Sequence, residues 1–151
     1  MNLRHICAAF AACTTLALPA LAQEAPEIGQ RKGQFQLYLH NFGVLGAMAQ
    51  GRIDYDAALA QTAADNMFHL TRHDQSRLWP EGTDSMSVDG TRAKPDIWDN
   101  LDDFVAKFTA LQDAAVALQA SAGNGVDDLR AGVGAMGATC QACHQAYREE
   151  S

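Results

Sequence analysis

The sequence is short of cysteine, proline and positive charge, and each shortage excludes something. Four cysteines in 151 residues cannot make a disulfide-dense scaffold. Four prolines beside 48% apolar residues fit neither a collagen-like chain nor long disorder. Lysine and arginine number 11 against 18 aspartates and glutamates, for a net charge of −7. A nucleic-acid surface is built from clustered cations, so nucleic acid is excluded as a partner. Beyond the first segment no apolar run reaches the roughly 18 residues of a spanning helix, so no stable membrane insertion is expected. What remains suits one soluble domain long enough to bury a sizeable core.

The first segment is a leader rather than part of the fold. Residues Met1 to Ile6 carry Arg4 and no acid, an apolar stretch runs from Cys7 to Leu18, and Pro19 precedes Ala20-Leu21-Ala22. A charged start, a short apolar core and a small-residue site make a secretory signal peptide over residues 1–22, cleaved after Ala22. Reading Phe10-Ala11-Ala12-Cys13 as a lipidation box instead leaves almost no apolar core ahead of the cysteine. The mature chain is residues 23–151, exported to the periplasm, and its charge falls to −8 because Arg4 leaves. Cys7 and Cys13 leave too, so only Cys140 and Cys143 enter an oxidising compartment, where thiols are bridged or otherwise occupied.

Apolar residues in the mature chain recur at helical spacing and never alternate as in strands. Helix one begins near Pro26-Glu27, carries Ile28, Phe35, Leu39, Phe42, Leu45 and Ala49 inward, and stops at Gly51. Asp54 can cap helix two, whose face is Leu59, Ala63, Met67 and Leu70. Helix three enters at Pro95 and repeats Ile97, Leu101, Phe104, Phe108, Leu111, Ala115 and Leu118 until Gly123-Asn124-Gly125. Helix four repeats the spacing through Val126, Leu129, Val133, Met136, Cys140, Cys143 and Tyr147. Seams this narrow, with short first and last connections, predict an all-α, antiparallel up-down-up-down four-helix bundle. Residues 71–94 form a long crossover, which in such a bundle can cover a bound group.

Cys140-Gln141-Ala142-Cys143-His144 is the C-x-x-C-H attachment signature of a c-type haem. On a helix the two cysteines share a face one turn apart, so both thiols reach the vinyl groups of one porphyrin edge. His144, four residues after Cys140, projects beside that face and can bind the iron axially. One covalently attached haem c is therefore expected. A thioredoxin-like dithiol would need a strand before the motif, and no strand pattern lies there. A zinc site would need a fourth ligand from His40, His69 or His73, which read as surface or loop residues. A disulfide between cysteines one helical turn apart bridges poorly. Gly132, Gly134 and Gly137 leave helix four a bare backbone on which a macrocycle or a neighbouring helix can approach closely. Trp79 and Trp98 read as packing residues.

With this motif near the C terminus, followed by Ala146-Tyr147-Arg148, the chain resembles the cytochrome c′ family, the class II cytochromes c. The likeness extends through Arg31, Tyr55-Asp56-Ala57-Ala58, Gly82-Thr83 and Pro95-Asp96-Ile97-Trp98. It implies a homodimer packed through helices one and two, and a five-coordinate haem iron. The shield over the open face would be the apolar side chain four residues after the arginine, here Phe35. Arg31 would lie near the propionates or the distal pocket, and Arg148 beside the proximal imidazole, where a fixed cation weakens the ligand's push on iron.

Low-spin relatives place a methionine near the position of Phe35, but residues 31–47 hold none. Met48 is 13 residues further on, about 20 Å along a helix. Met67 and Met136 fit core stripes, and Met86 is the remaining candidate. A greasy lid with no hydrogen-bond donor disfavours dioxygen and leaves slow, sterically limited binding of nitric oxide and carbon monoxide. The rival readings are a six-coordinate electron carrier of the same class and a non-haem thiol or metal-binding bundle. No acid–base pair or nucleophile assembly lies beside the motif, so no enzymatic turnover is expected. The redox partner is unspecified, and the charge of −8 favours a basic one.

Overall fold

The computed structural model describes residues 25–150. The expected signal peptide, its cleavage after Ala22 and the lipidation alternative at Cys13 lie outside them. Four long helices carry the fold: α1 over Pro26–Ala49, α2 over Ala57–Thr71, α4 over Leu101–Ser121 and α5 over Val126–Tyr147. A one-turn helix, α3 over Asp96–Asp99, precedes α4, and a 3-10 turn at Ser76–Leu78 lies in the crossover. Pro26 opens α1, where its missing N–H costs nothing. Gly51, at φ +69°, makes the left-handed turn that follows the helix.

The long helices form a four-membered ring in which α1 meets α2 and α5, while α4 meets α2 and α5. Every neighbouring pair is antiparallel, as the side-chain pairings show. Tyr38 reaches the Leu70 carbonyl and Asn66 reaches Asn41, tying α1 to α2. Gln112 donates to Thr71 O and Gln119 to Asp65, tying α2 to α4. Arg130 donates to Ala49 O, and Gly137 faces Phe42 across α1 and α5. Tyr147 donates to Asp103, and Gly132 lies against Leu118 across α4 and α5. The bundle is therefore the expected antiparallel one. Its short connections share one end, while the crossover, the start of α1 and the end of α5 meet at the other.

Some local expectations need correction. Asp56, not Asp54, caps α2, accepting from Leu59 N at 2.9 Å. Helix three is broken at Asn100, whose φ −132° and ψ 46° separate α3 from α4. Asn100 Nδ2 also donates to Asp96 O, closing the first turn before the chain turns into α4. Leu101 is exposed as a result, and so are Leu39, at 63%, and Leu59. In their place α1 buries Arg31, Gln34, Tyr38 and Asn41.

Two hydrophobic clusters divide the interior. The larger fills the bundle around Leu45, Met67, Leu118, Leu129 and Met136. The smaller, of Ile97, Phe104 and Tyr147, sits at the crossover end with Trp79, Trp98 and Cys143 against it. Phe108 packs against both clusters. The crossover is anchored rather than loose. Ala93 and Arg148 form an isolated antiparallel bridge, Lys94 N donates to Tyr147 O and Glu149 N to Arg92 O.

Candidate functional site

The five motif residues lie in the last two turns of α5, at the end of the bundle where the crossover passes. Both thiols are free and half-buried. Cys140 packs against the larger cluster and Cys143 against the smaller, so the pair straddles their boundary. Burial pushes both thiols up, Cys143 to about 11 with a further push from Cys140. They are protonated at neutral pH, unlike the activated thiolate of a dithiol oxidoreductase. Among the described residues no strand precedes the motif, and no three His, Cys, Asp or Glu side chains group to hold a metal ion.

His144 is half-buried beside them, and its basicity is lowered first by burial, then by the charges of Arg148 and Arg92. A neutral imidazole is the form that coordinates iron. Arg148 terminates α5 in an extended conformation, donating its backbone N–H to His144 O at 3.1 Å.

Across the bundle, α1 presents Arg31 and Phe35 one turn apart on a neighbouring face. Phe35 is half-buried against the same cluster as Cys140 and meets Tyr38 edge-on, with ring centroids 5.7 Å apart. Arg31 is only 4% exposed. Its Nη2 donates to Thr83 O at 2.9 Å, and the guanidinium lies 4.5 Å over the Trp79 ring. Its Nη1 is buried with no hydrogen-bond partner. Burial lowers its basicity, with Glu27 acting in the opposite sense. A buried cation with a donor to spare is costly unless an anion completes the site.

The remaining candidates fall elsewhere. His40 and His69 are exposed and line a shallow depression between α1 and α2 with Leu37, Asn41, Asn66 and Leu70. His73 is exposed, its Nδ1 2.8 Å from Leu70 O. Met67 and Met136 are core residues, Met86 is 83% exposed, and Met48 is buried with its sulfur accepting from Asp56 N. Trp98 donates its indole N–H to Trp79 O, and Trp79 stacks edge-on with Phe104. The glycines differ in role. A Cβ on Gly132 would lie 2.7 Å from Leu118 Cδ1, whereas Gly134 has nothing within 4 Å. Helix approach therefore explains Gly132 and leaves Gly134 without a packing role.

The cytochrome c′ family model matches residues 26–148. The chain belongs to the cytochrome c′ family. A curated cytochrome c′ from Cereibacter sphaeroides is 44% identical over 135 residues, covering 87% of this chain and 91% of the relative. A solved cytochrome c′ from Rhodobacter sphaeroides superposes with a TM-score of 0.83 at 42% identity, covering 86% of this chain and all of that one. A third, the nitric oxide complex of a leucine-to-alanine variant of Alcaligenes xylosoxidans cytochrome c′, gives 0.74 at 31% identity, covering 87% and 99%.

The family's cofactor is a haem c, and the residues present fit it. Two free thiols one turn apart, a half-buried imidazole, an apolar wall and an unpartnered buried guanidinium N–H are what covalent attachment, axial ligation, ring packing and a carboxylate partner require. Sequence reasoning missed the polar group around Tyr38. Gln34 Nε2 and Gln75 Nε2 both donate to its hydroxyl, and the hydroxyl donates to Leu70 O at 3.1 Å. It also missed the donation from Tyr147 to Asp103 at 2.6 Å. The only sequence trace of Gln34 and Tyr38 was their spacing of four, on a helix already assigned a different inward face.

Proposed function

We propose that this chain is an exported, periplasmic cytochrome c′ that carries one haem c and reversibly binds nitric oxide and carbon monoxide. When bound, the haem would supply an iron able to take up a diatomic gas. Cys140 and Cys143 would hold the haem through thioethers, His144 would ligate its iron, and Arg31 would offer its spare N–H to a propionate. Arg148 withdraws basicity from His144 from outside. Phe35 excludes water and offers an incoming gas no hydrogen bond.

The observation that carries this reading is the placement of Phe35. It shares an apolar cluster with Cys140, and the hydroxyl of its ring neighbour Tyr38 already gives its proton to Leu70 O. The reading is of a binding protein rather than an enzyme, since no nucleophile paired with a base accompanies the motif. The nitric oxide complex of the Alcaligenes relative supports the choice of gas. A low-spin electron carrier would need a sulfur over the iron. Met67 and Met136 are committed to the core and Met86 points to solvent, which favours the gas-binding reading.

A homodimer through α1 and α2 accords with exposed Leu37 and Leu59 on those helices. Among the described residues no helix is long and apolar enough to cross a membrane. The test is a ferrous absorption spectrum of the purified holoprotein, with and without nitric oxide. A broad high-spin spectrum that changes on adding the gas is expected. A sharp, split low-spin spectrum indifferent to the gas refutes the proposal. Haem released by acid-acetone extraction would refute covalent attachment.

A further inference from the structure

We infer that Tyr38 is a positioning residue that sets how readily the Phe35 ring can swing aside, and so fixes the rate at which gas reaches the iron. The inference rests on the reading of Phe35 as the lid. Phe35 and Tyr38 are three residues apart on α1 and therefore neighbours on its surface. Their rings meet edge to face at 5.7 Å and 81°. A lid ring moves only if its neighbour yields, and Tyr38 is built not to yield.

The hydroxyl of tyrosine has one proton to give and can accept two. Here all three are used: it donates to Leu70 O, at the end of α2, and accepts from Gln34 on α1 and Gln75 at the start of the crossover. Three separate pieces of chain converge on one oxygen. Tyr38 and Gln34 are both buried, so these bonds are shielded from competition by water. Burial, the first cause, moves the Tyr38 hydroxyl to a higher pKa, which keeps the proton on the bond to Leu70.

The polar group is too elaborate for packing alone. The Tyr38 ring already fills its part of the core, and a phenylalanine would fill it as well. Moreover, Gln75 Oε1 is buried with no partner, an uncompensated polar atom retained on the residue that completes the hub. A buried orphan of that kind is unfavourable unless the rest of the side chain is needed. What it secures is the orientation of the ring against which Phe35 rests.

The experiment measures carbon monoxide association with the ferrous holoprotein by flash photolysis, in a four-member cycle. Tyr38→Phe keeps the ring and removes the hydroxyl, and Phe35→Ala removes the lid. Tyr38→Phe in the otherwise native protein is expected to accelerate association by up to about tenfold, the ceiling being loss of the whole edge-to-face contact. In the Phe35→Ala background the same change is expected to do nothing, because no lid remains to be held. Such coupling separates positioning from a structural effect, which acts in both backgrounds.

Equal acceleration in both backgrounds, or none in either, overturns the inference while leaving the lid intact. If Phe35→Ala itself leaves association unchanged, the lid reading fails and the role of Tyr38 fails with it. Gln75→Leu, which removes one arm and the orphaned oxygen together, is the second variant should Tyr38→Phe load haem poorly. It is expected to accelerate association less than Tyr38→Phe, again only when Phe35 is present. Acceleration without Phe35 counts against the inference.

Discussion

Replacing Phe35 with alanine tests the central proposal directly. On that proposal an incoming gas must displace the Phe35 ring, which is half-buried against the bundle core and edge-on to Tyr38. The edge contact contributes about 0.5–1.5 kcal/mol. Fully burying a phenylalanine is worth roughly 1.5–3 kcal/mol, so returning a half-buried ring to solvent costs about 1 kcal/mol more. Together these place about 1.5–2.5 kcal/mol of the entry barrier on the lid, which corresponds to about 10- to 70-fold in rate. Flash photolysis or stopped-flow mixing of the ferrous holoprotein with carbon monoxide reads that acceleration. Phe35→Leu should lie between alanine and the native residue, since it keeps apolar bulk without the ring edge. Truncation also removes core contacts, and a half-buried site should lose about 2 kcal/mol of stability. Thermal unfolding therefore has to show that the variant is folded at the assay temperature. An association rate within twofold of native in a folded, haem-loaded variant would mean that Phe35 does not stand over the iron.

Other outcomes follow from the same geometry. Arg31→Met removes the charged donor that ties α1 to Thr83, and urea unfolding should show a loss of about 1.5–3 kcal/mol; an unchanged midpoint would mean the tie contributes nothing net. Tyr147→Phe should destabilise only over a limited pH range. Asp103 is depressed chiefly by the Tyr147 hydrogen bond, so its contribution is present above the ordinary carboxylate pKa and lost as pH falls through the lowered one. Tyr147 is pushed up to about 12, chiefly by the same bond, so its contribution is present below about pH 10 and lost as pH rises through about 12. The stability difference between Tyr147→Phe and native should therefore be flat from pH 5 to about 9 and shrink at both extremes; a difference independent of pH would exclude the bond as its cause. Gly134→Ala should stabilise by up to about 1 kcal/mol, having open space around it. Gly132→Ala should be neutral or destabilising, because its new methyl meets buried Leu118. Equal stabilisation by both would mean that α4 and α5 do not pack through that glycine.

The two ends of the chain were not equally legible. α5 could be read nearly residue by residue, because its inward stripe is apolar and the two cysteines fall on the same stripe, so one periodicity located both the helix and the site. α1 was read less well for a physical reason. Its inward face carries Arg31, Gln34, Tyr38 and Asn41, while Leu37 and Leu39 face out. Hydrophobic periodicity locates a buried face only when burial tracks apolarity, and here it does not. On α1 the buried Arg31 is proposed to meet a carboxylate of the cofactor, and a helix proposed to meet a second copy of itself can offer leucines outward. The same logic explains Asn100. Ile97, Phe104 and Phe108 do belong to one buried region, so their spacing is sound. Only the exposed Leu101 betrays that the chain turns between α3 and α4, and a leucine at a core position gives no such warning. Around a cofactor site, then, residues whose burial contradicts their polarity are more informative than those that obey the pattern. Arg31 and Tyr38 are such residues, and the proposals of a carboxylate partner and of a held Phe35 ring rest on them rather than on the apolar stripe.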